Sequence, residues 1–397
     1  MNLPLAGIRV LDLSSIIAAP VAATMLGDFG AEVVKVEDPG QGDFMRRGAA
    51  EPGGRSLQWV QDARNKASIT LNLRQPEARD IVHRLLAHFD VLVTNFRPPT
   101  LRRWGFDPDT IRARHPALIA LYVTGYGLTG PYSDRGAFDR VASAFAGLTY
   151  VTGDADRAPV RSGYAVIDYM GAYAGAFGVV TALYNRDHRG GSGQVIDLAL
   201  YEPGFRASED AMLAYSATGQ VRERTGNINP KVVPAGDFQT ADGKRVTIHA
   251  GTQPLLRRLA AVMRDAELCD DPRFATHAQR VENQDALYAR IADWVGRQNL
   301  TELMAALVAA DIPASPLMSV ADIAADPHFR ERATIVPVQD EDYGEMLMAA
   351  PIPRLSETPG TVRSLGPRLG SSNEEIYGGL LGMSREEIDR LRESGTI

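Results

Sequence analysis

The sequence predicts an α/β protein whose main sheet is mostly parallel, on three observations. Short apolar runs alternate regularly with helical patterns over the first half of the chain, the mark of β-α-β units with helices on both faces of a sheet. Turn signals separate the runs, and no internal repeat or low-complexity tract interrupts them. After about residue 220 the texture changes to a hairpin followed by amphipathic helices, so a smaller α+β domain is expected. The boundaries drawn are 1–220 for the large domain, 221–330 for the small domain with its linkers, and 331–397 for a tail returning to the large domain.

Ile8–Leu13 follows Gly7 and suits a buried strand, Ala18–Phe29 reads as a helix, and Glu32–Glu37 is the next strand. A dinucleotide-binding opening of this kind needs G-x-G-x-x-G at its first turn, so that backbone can approach a pyrophosphate. The turn here is Ser14-Ser-Ile-Ile-Ala-Ala-Pro20, which lacks those glycines, so NAD is not expected there. Glu37, where a ribose-binding acid would sit, reads as a solvated strand end. Asp38–Gly48 is turn-rich and ends near the pair Arg46 and Arg47, and Glu51-Pro-Gly-Gly continues as loop. Strand Ile69–Leu73, helix Pro76–Leu86, strand Val91–Thr94, helix Pro108–Arg114 and strand Leu118–Thr124 complete the alternation. Parallel sheets carry ligands beyond the carboxyl ends of their strands, which makes the intervening loops the place to search.

Two loops have suitable chemistry. Asn95-Phe-Arg-Pro-Pro-Thr-Leu-Arg-Arg-Trp104 combines guanidinium groups with flat rings, which suits a nucleotide whose base stacks while its phosphates pair with arginine. A solvated basic surface is the alternative for Arg102 and Arg103. Gly125-Tyr-Gly-Leu-Thr-Gly-Pro-Tyr132 must turn sharply and either approaches a ligand or is an ordinary loop.

One carboxylate, Asp168, interrupts the small and apolar run Arg161–Gly175. A helix follows, with Met170, Phe177, Val180, Thr181 and Leu183 as apolar positions and several glycines permitting close backbone approach. Asp168 is expected at its N-cap, where a backbone N–H and the helix dipole favour the ionised form. An ionised, fixed carboxylate is a usable nucleophile. A plain cap needs the same residue, and on spacing alone both readings stay open.

Val195–Leu200 extends the sheet and helical residues run to about Gly219. Arg222–Lys231 is an aperiodic polar boundary. Phe238–His249 reads as a hairpin with an Asp-Gly turn, and Gln253–Met263, Asn283–Arg297 and Thr301–Ala310 read as amphipathic helices. From Ala333 loop and short strand prevail until Ser384-Arg-Glu-Glu387, a capping box, opens a final helix.

The 397 residues carry a net charge of −7, which argues against nucleic acid or an anionic membrane as the main partner. No uninterrupted 18-residue apolar run and no signal-peptide pattern are found, so a cytoplasmic protein is expected. The single cysteine, Cys269, excludes an internal disulfide and a cysteine-based zinc cluster, and no metal is expected.

Pro4-Leu-Ala-Gly-Ile-Arg-Val-Leu-Asp-Leu, Gly30-Ala-Glu-Val-Val-Lys-Val-Glu, Asn65-Lys-Ala-Ser-Ile-Thr-Leu-Asn-Leu, Val93-Thr-Asn-Phe-Arg-Pro and Gly125–Tyr132 resemble the class III CoA-transferases, the CaiB/BaiF family. The likeness runs on through Asp270-Asp-Pro-Arg-Phe-Ala-Thr and covers nearly the whole chain. It implies a Rossmann-like large domain and a small domain in an interlocked homodimer. It also implies transfer of CoA from an acyl-CoA, succinyl-CoA being a family-level expectation, to a small carboxylic acid. The CoA thioester is a substrate and no cofactor is permanently bound. Asp168 matches the family's catalytic aspartate, which attacks the thioester to give a mixed anhydride and then an aspartyl-CoA thioester.

By the same resemblance Ser15, Ile16, Ile17 and Ala18 line the pantetheine end. Leu71, Arg74, Asn95, Phe96, Arg103 and Trp104 match positions around the nucleotide, with Tyr132 and Phe138 near them. Backbone N–H groups at the Asp168 helix start or in a glycine loop are candidates for oxyanion contacts. Ser15 and Ile17 replace the His and Gln of the formyl-CoA transferase branch, and the glycine-run loop of that branch is absent from Arg224-Thr-Gly-Asn-Ile-Asn-Pro, which disfavours formyl-CoA and oxalate. Arg46 and Arg47 are candidates for a dicarboxylate's second carboxylate. Two alternatives remain, an α-methylacyl-CoA racemase and a non-catalytic acyl-CoA-binding protein. The racemase needs a paired acid and base, and its histidine position is occupied here by Ala in Gly136-Ala-Phe-Asp139.

Overall fold

A computed structural model describes residues 3–47, 55–229 and 231–397. The predicted loop Glu51-Pro-Gly-Gly and Pro230 of the polar boundary lie outside the described residues. Contacts divide the chain into two compact units, one of Met1–Thr149, Ser162–Leu213 and His328–Ile397, the other of Tyr150–Arg161 and Ala214–Pro327.

The first unit holds a six-stranded sheet of β1 (Arg9–Asp12), β2 (Glu32–Glu37), β3 (Lys66–Thr70), β4 (Val91–Thr94), β5 (Ile119–Thr124) and β6 (Val195–Ala199). Every pairing is parallel and the order is β3-β2-β1-β4-β5-β6. Its helices are α1 (Ala18–Asp28), α2 (Leu57–Asp62), α3 (Pro76–Leu86), α4 (Pro98–Trp104), α5 (Pro108–Arg114), α6 (Asp139–Phe145), α7 (Val166–His188) and α8 (Glu202–Arg206). Successive strand residues alternate between two cores, with Val10, Val91, Val93 and Leu121 packing on the α1 and α7 side and Leu11, Leu92 and Tyr122 on the α3 side. The tail adds an antiparallel hairpin, Ile335–Asp340 with Gly344–Ala349, and the helix Arg385–Glu393, whose predicted capping box is present at Ser384.

The sequence predicts β3 at Ile69–Leu73, whereas the strand runs Lys66–Thr70. Lys66 and Ser68 face inward to Asp12 and Glu37, at 2.8 and 2.6 Å. A buried lysine breaks the rule that places lysine at the surface, and so hides the strand's start.

In α7 the predicted apolar face is also displaced. The buried side is made of Ile167, Gly171, Ala172, Gly175, Val179, Ala182 and Leu183. Tyr173, Phe177, Val180 and Tyr184 are exposed on the other side, Phe177 by 74%. Helix α7 is long and apolar enough by composition to cross a membrane, yet its glycine face packs on α1 and the sheet. Small residues allow that close approach, so hydrophobicity alone misassigns the buried side.

The second unit packs the antiparallel sheet β7 (Ala235–Gln239), β8 (Arg245–His249) and β9 (Ala314–Pro316) against the helices Gln253–Met263, Gln284–Val295 and Leu300–Ala309. The Asp-Gly turn joins β7 and β8, with Gly243 at φ +75°. Tyr150–Arg161, which falls inside the predicted range 1–220, is part of this unit, because Gly226 N–H donates to the Gly153 carbonyl at 2.9 Å and Arg224 Nη1 to that of Tyr150 at 3.0 Å.

Candidate active site

The chain builds the sheet outward in one direction from β1 and in the other from β4, so the switch point lies between these neighbours. Ligands of open parallel sheets bind beyond the strand ends at such a point. The two loops leaving β1 and β4 are clamped together there. Asn95 Oδ1 accepts the Ser15 N–H at 2.9 Å and Asn95 Nδ2 donates to the Ser15 carbonyl at 2.6 Å.

Beside the clamp opens a cavity of about 430 Å³ that brings together Ser15, Ile16, Leu71, Arg74, Phe96, Trp104 and Phe138 of the predicted contacts. Phe96 and Trp104 meet edge to face with ring centres 5.0 Å apart, an apolar wall suited to a flat base. Arg74 is exposed at the rim, paired with Asp38 at 2.9 Å. Asn95 acts through its loop clamp, and Ile17 and Ala18 form the start of α1. Arg103 lies 5.9 Å from the Trp104 ring centre without lining the cavity. Tyr132 belongs instead to an aromatic cluster with Tyr126 and Phe145, and Arg135 stacks on it at 3.8 Å.

The two loop arginines have separate fates. Arg46 forms a bidentate pair with Glu37, at 2.6 and 2.7 Å, donates to the Pro367 carbonyl and stacks 3.8 Å above Trp59. Three of the five Arg46 N–H donors are so taken, and Arg46 does not line the cavity. Glu37 is correspondingly no solvated strand end, since its side chain is fully buried and also accepts Ser68 Oγ and the Asp43 N–H. Arg47 is exposed and bonded to Gln41 at 2.5 Å.

Asp168 is not the N-cap of α7. The cap position is Ala165, which makes no side-chain cap, and Asp168 stands in the first helical turn. The cap is supplied from α6, where Asp139 Oδ1 accepts the N–H groups of Ile167 at 2.8 Å and of Asp168 at 3.2 Å. These N–H groups of the helix start are thereby bonded to Asp139. Burial, and then the neighbouring Asp139 charge, push the Asp168 carboxyl up to about 7. That is opposite to the depression expected from a cap and a helix dipole. Tyr169, the next residue, donates its hydroxyl to Asp62 Oδ2 at 2.9 Å and anchors the turn.

Glycine packing places Asp168 relative to the loop. A Cβ on Gly171 would lie 3.8 Å from that of Ala18, and one on Gly175 3.6 Å from that of Ala22, so α1 and α7 run in parallel. One turn back along α7, Asp168 is level with the residues that precede α1.

Sequence reasoning passed over Asp139 and the buried charges Asp12, Lys35, Asp43 and Lys66. Lys35 inside Glu32-Val-Val-Lys-Val-Glu37 was the available signal, a lysine at a position that must face inward if its neighbours do.

A doubly wound sheet with a ligand-sized cavity at its switch point and a buried carboxylate one helix away defines a Rossmann-like α/β enzyme. The chain matches CoA-transferase family III over residues 5–373 and belongs to that family, as the sequence motifs predict. It is 44% identical, over 100% of its length and 98% of the relative's, to the succinyl-CoA–L-malate CoA-transferase beta subunit of Chloroflexus aurantiacus. It is 42% identical, over 99% and 98%, to the succinyl-CoA–D-citramalate CoA-transferase of the same organism. A CaiB/BaiF family protein from Brucella suis superposes with a TM-score of 0.83 at 32% identity, covering 96% of this chain and all of that one. The protein is a CoA-transferase.

Proposed function

We propose that the protein moves CoA from succinyl-CoA to a small carboxylic acid of the hydroxydicarboxylate type, through covalent intermediates on Asp168. The donor and acceptor class follow from relatives whose names specify succinyl-CoA with L-malate or D-citramalate. The observation that carries the mechanism is the buried carboxylate of Asp168, level with the loop that edges the nucleotide-sized cavity.

The Asp168 carboxylate attacks the thioester carbonyl, giving an aspartyl-succinyl anhydride and CoA thiolate. The thiolate attacks the aspartyl carbonyl and releases succinate, leaving an aspartyl-CoA thioester. The acceptor carboxylate attacks that thioester, forming a second anhydride and again the thiolate. Thiolate attack on the acceptor's carbonyl then yields the new acyl-CoA and free Asp168. Exclusion of water preserves both intermediates, and burial of Asp168 serves that end. Phe96 and Trp104 would receive the base, Arg74 at the rim a phosphate, and Ser15–Ala18 the pantetheine end.

The interlocked homodimer belongs to the same proposal. It is supported by the exposed stripe Tyr173, Phe177, Val180 and Tyr184 along α7, which a second copy would cover. Light scattering after gel filtration measures the assembly, and a monomer at micromolar concentration would remove that part.

The decisive experiment is mass spectrometry of the intact protein after incubation with succinyl-CoA and hydroxylamine trapping, with Asp168→Ala alongside. A modification mapping to Asp168 and absent from the variant is expected. Full exchange activity in Asp168→Ala would sink the mechanism. Deuterium entering the α-carbon of a branched acyl-CoA without an acceptor acid would replace it with the racemase reading.

A further inference from the structure

Four charged side chains lie buried against the loop Ser14–Ile17, Asp43 among them also bordering the cavity. The side chains of Asp12, Lys35, Asp43 and Lys66 are at most 2% exposed. Lys66 Nζ is 2.8 Å from Asp12 Oδ2, Lys35 Nζ is 3.0 Å from Asp43 Oδ2 and 3.7 Å from Asp12 Oδ1. The two positive and two negative charges balance. Burying four charges is unfavourable unless each is paired and hydrogen-bonded, and apolar residues of like volume would often stabilise such a site as well or better. The cluster therefore asks for a role other than stability.

That role is visible in the cluster's remaining bonds. Asp12 Oδ1 accepts the Ser14 N–H at 3.1 Å and also the Ser14 hydroxyl. Lys35 Nζ donates to the Ser14 carbonyl. Asp43 Oδ1 accepts the Ile16 N–H at 3.2 Å, and Lys66 Nζ donates to the Pro20 carbonyl in the first turn of α1 at 2.7 Å. With the Asn95 clamp on Ser15, every backbone polar group from the Ser14 N–H to the Ile16 N–H is held by a side chain. The loop held in this way is strained. Ile16 sits at φ +72°, in the left-handed region that a β-branched residue rarely adopts. Strain of this kind persists only where the surroundings over-determine the backbone.

We propose that Asp12, Lys35, Asp43 and Lys66 are positioning residues for CoA transfer, holding the Ser14–Ile17 loop in the shape that presents the thioester end of the substrate to Asp168. The inference rests on the reading of Asp168 as nucleophile and of this loop as its neighbour. It adds that the loop's conformation is set by charge from below, not by the substrate. The two lysines divide the work: Lys35 holds the loop itself, and Lys66 ties the first turn of α1 to the same Asp12.

The test uses the full-length enzyme. In the wild type, hydrogen exchange should show the Ser14, Ser15 and Ile16 amides protected to the same degree as β1, although they lie outside any strand or helix; rapid exchange would overturn the proposal without any variant. Asp43→Asn keeps the acceptor for Ile16 and removes the charge. It should lower kcat/KM for the acyl-CoA at least tenfold, leave KM for the acceptor acid within twofold, and raise exchange at Ser14–Ile16. Lys35→Met should behave alike. Adding Ile16→Gly, which relieves the left-handed strain, should restore at least a third of the lost activity to either. Folded variants with kcat/KM within twofold of wild type, or activity lost without faster exchange or without rescue, would overturn the assignment. Asp168→Ala run in parallel separates the two readings, since activity in that variant with none in Asp43→Asn removes the nucleophile and leaves the positioning role standing.

Discussion

Asp139 Oδ1 accepts the backbone N–H groups of Ile167 and Asp168, at 2.8 and 3.2 Å, so the carboxylate that caps α7 comes from α6 and stands beside the proposed nucleophile. Two acidic groups share one helix start. Burial, and after it the Asp139 charge, holds the Asp168 proton more tightly. A carboxylate that is costly to ionise gains more by giving up its charge to an acyl group.

The rate of Asp168 acylation should therefore rise with pH to a midpoint near 7. Asp139→Asn keeps an oxygen for the two N–H groups but loses the charge, and the midpoint should fall by roughly 1 pH unit. Single-turnover mass spectrometry across pH 5 to about 9 reads it. An unmoved midpoint would show that burial alone sets the Asp168 carboxyl.

The same shift has a consequence for stability with a definite sign. The folded protein keeps the Asp168 proton up to about 7, while the unfolded chain releases it near the ordinary 3.8 of an aspartate. The folded state thus binds more protons between these values, and stability falls as pH rises through them. Asp168→Asn should remove that decline. The difference between wild type and variant should grow with pH toward at most about 4 kcal/mol, taking about 1.4 kcal/mol per tenfold change in proton affinity. Urea unfolding of both proteins at pH 4.5, 6 and about 8 measures it.

Gly204 approaches Ile167 closely, and a Cβ there would come within 2.4 Å of Ile167 Cδ1 and 3.1 Å of Ala146 Cβ. Ile167 is fully buried, immediately before Asp168. Gly204→Ala should cost about 1–3 kcal/mol through overpacking and displace the first turn of α7. Acylation should slow even at temperatures where the variant is folded. Wild-type acylation in a destabilised variant would mean that the turn absorbs the methyl group.

Arg46→Met should act on stability and not on the acceptor. It leaves the buried Glu37 without its cationic partner, a loss on the order of 3 kcal/mol even with Ser68 and Asp43 still bonded to that carboxylate. KM for the acceptor acid should stay within about twofold. A large rise in that KM at unchanged stability would return Arg46 to the substrate site.

His83 and His115 stack with ring centres 5.4 Å apart, and His83 Nδ1 lies 3.1 Å from His115 Nε2. Burial, then the Arg114 charge, then His115 itself push His83 down to about 4, and His115 moves down as well. The folded state holds the pair neutral while the unfolded chain protonates near the usual 6.5. Stability should fall as pH drops from 6.5 toward 4. The melting temperature of His83→Phe should decline less across that window than that of wild type.

Patterning made much of the first unit readable in advance. The strands at Glu32–Glu37 and Val91–Thr94 and the helices Pro76–Leu86 and Pro108–Arg114 coincide with their predicted spans, since Pro opens both helices and clustered β-branched and apolar residues mark both strands. The same logic failed where a polar group is buried or an apolar one exposed. Lys66, Glu37 and Phe177 each reverse the expectation for their residue type, because partners distant in sequence, or their absence, decide burial.

The sequence alone determined the α/β class, the family and the single carboxylate in a small-residue run, because periodicity and local motifs are properties of neighbouring residues. Only the tertiary structure decided that Asp139 and not Asp168 caps α7, that Arg46 pairs with Glu37, and that buried Lys35 and Lys66 hold the Ser14 carbonyl and the first turn of α1 beside the cavity. Each of these joins side chains that the chain order keeps apart and the parallel sheet brings together, and the charge on a carboxylate depends on what lies within a few ångströms of it in space.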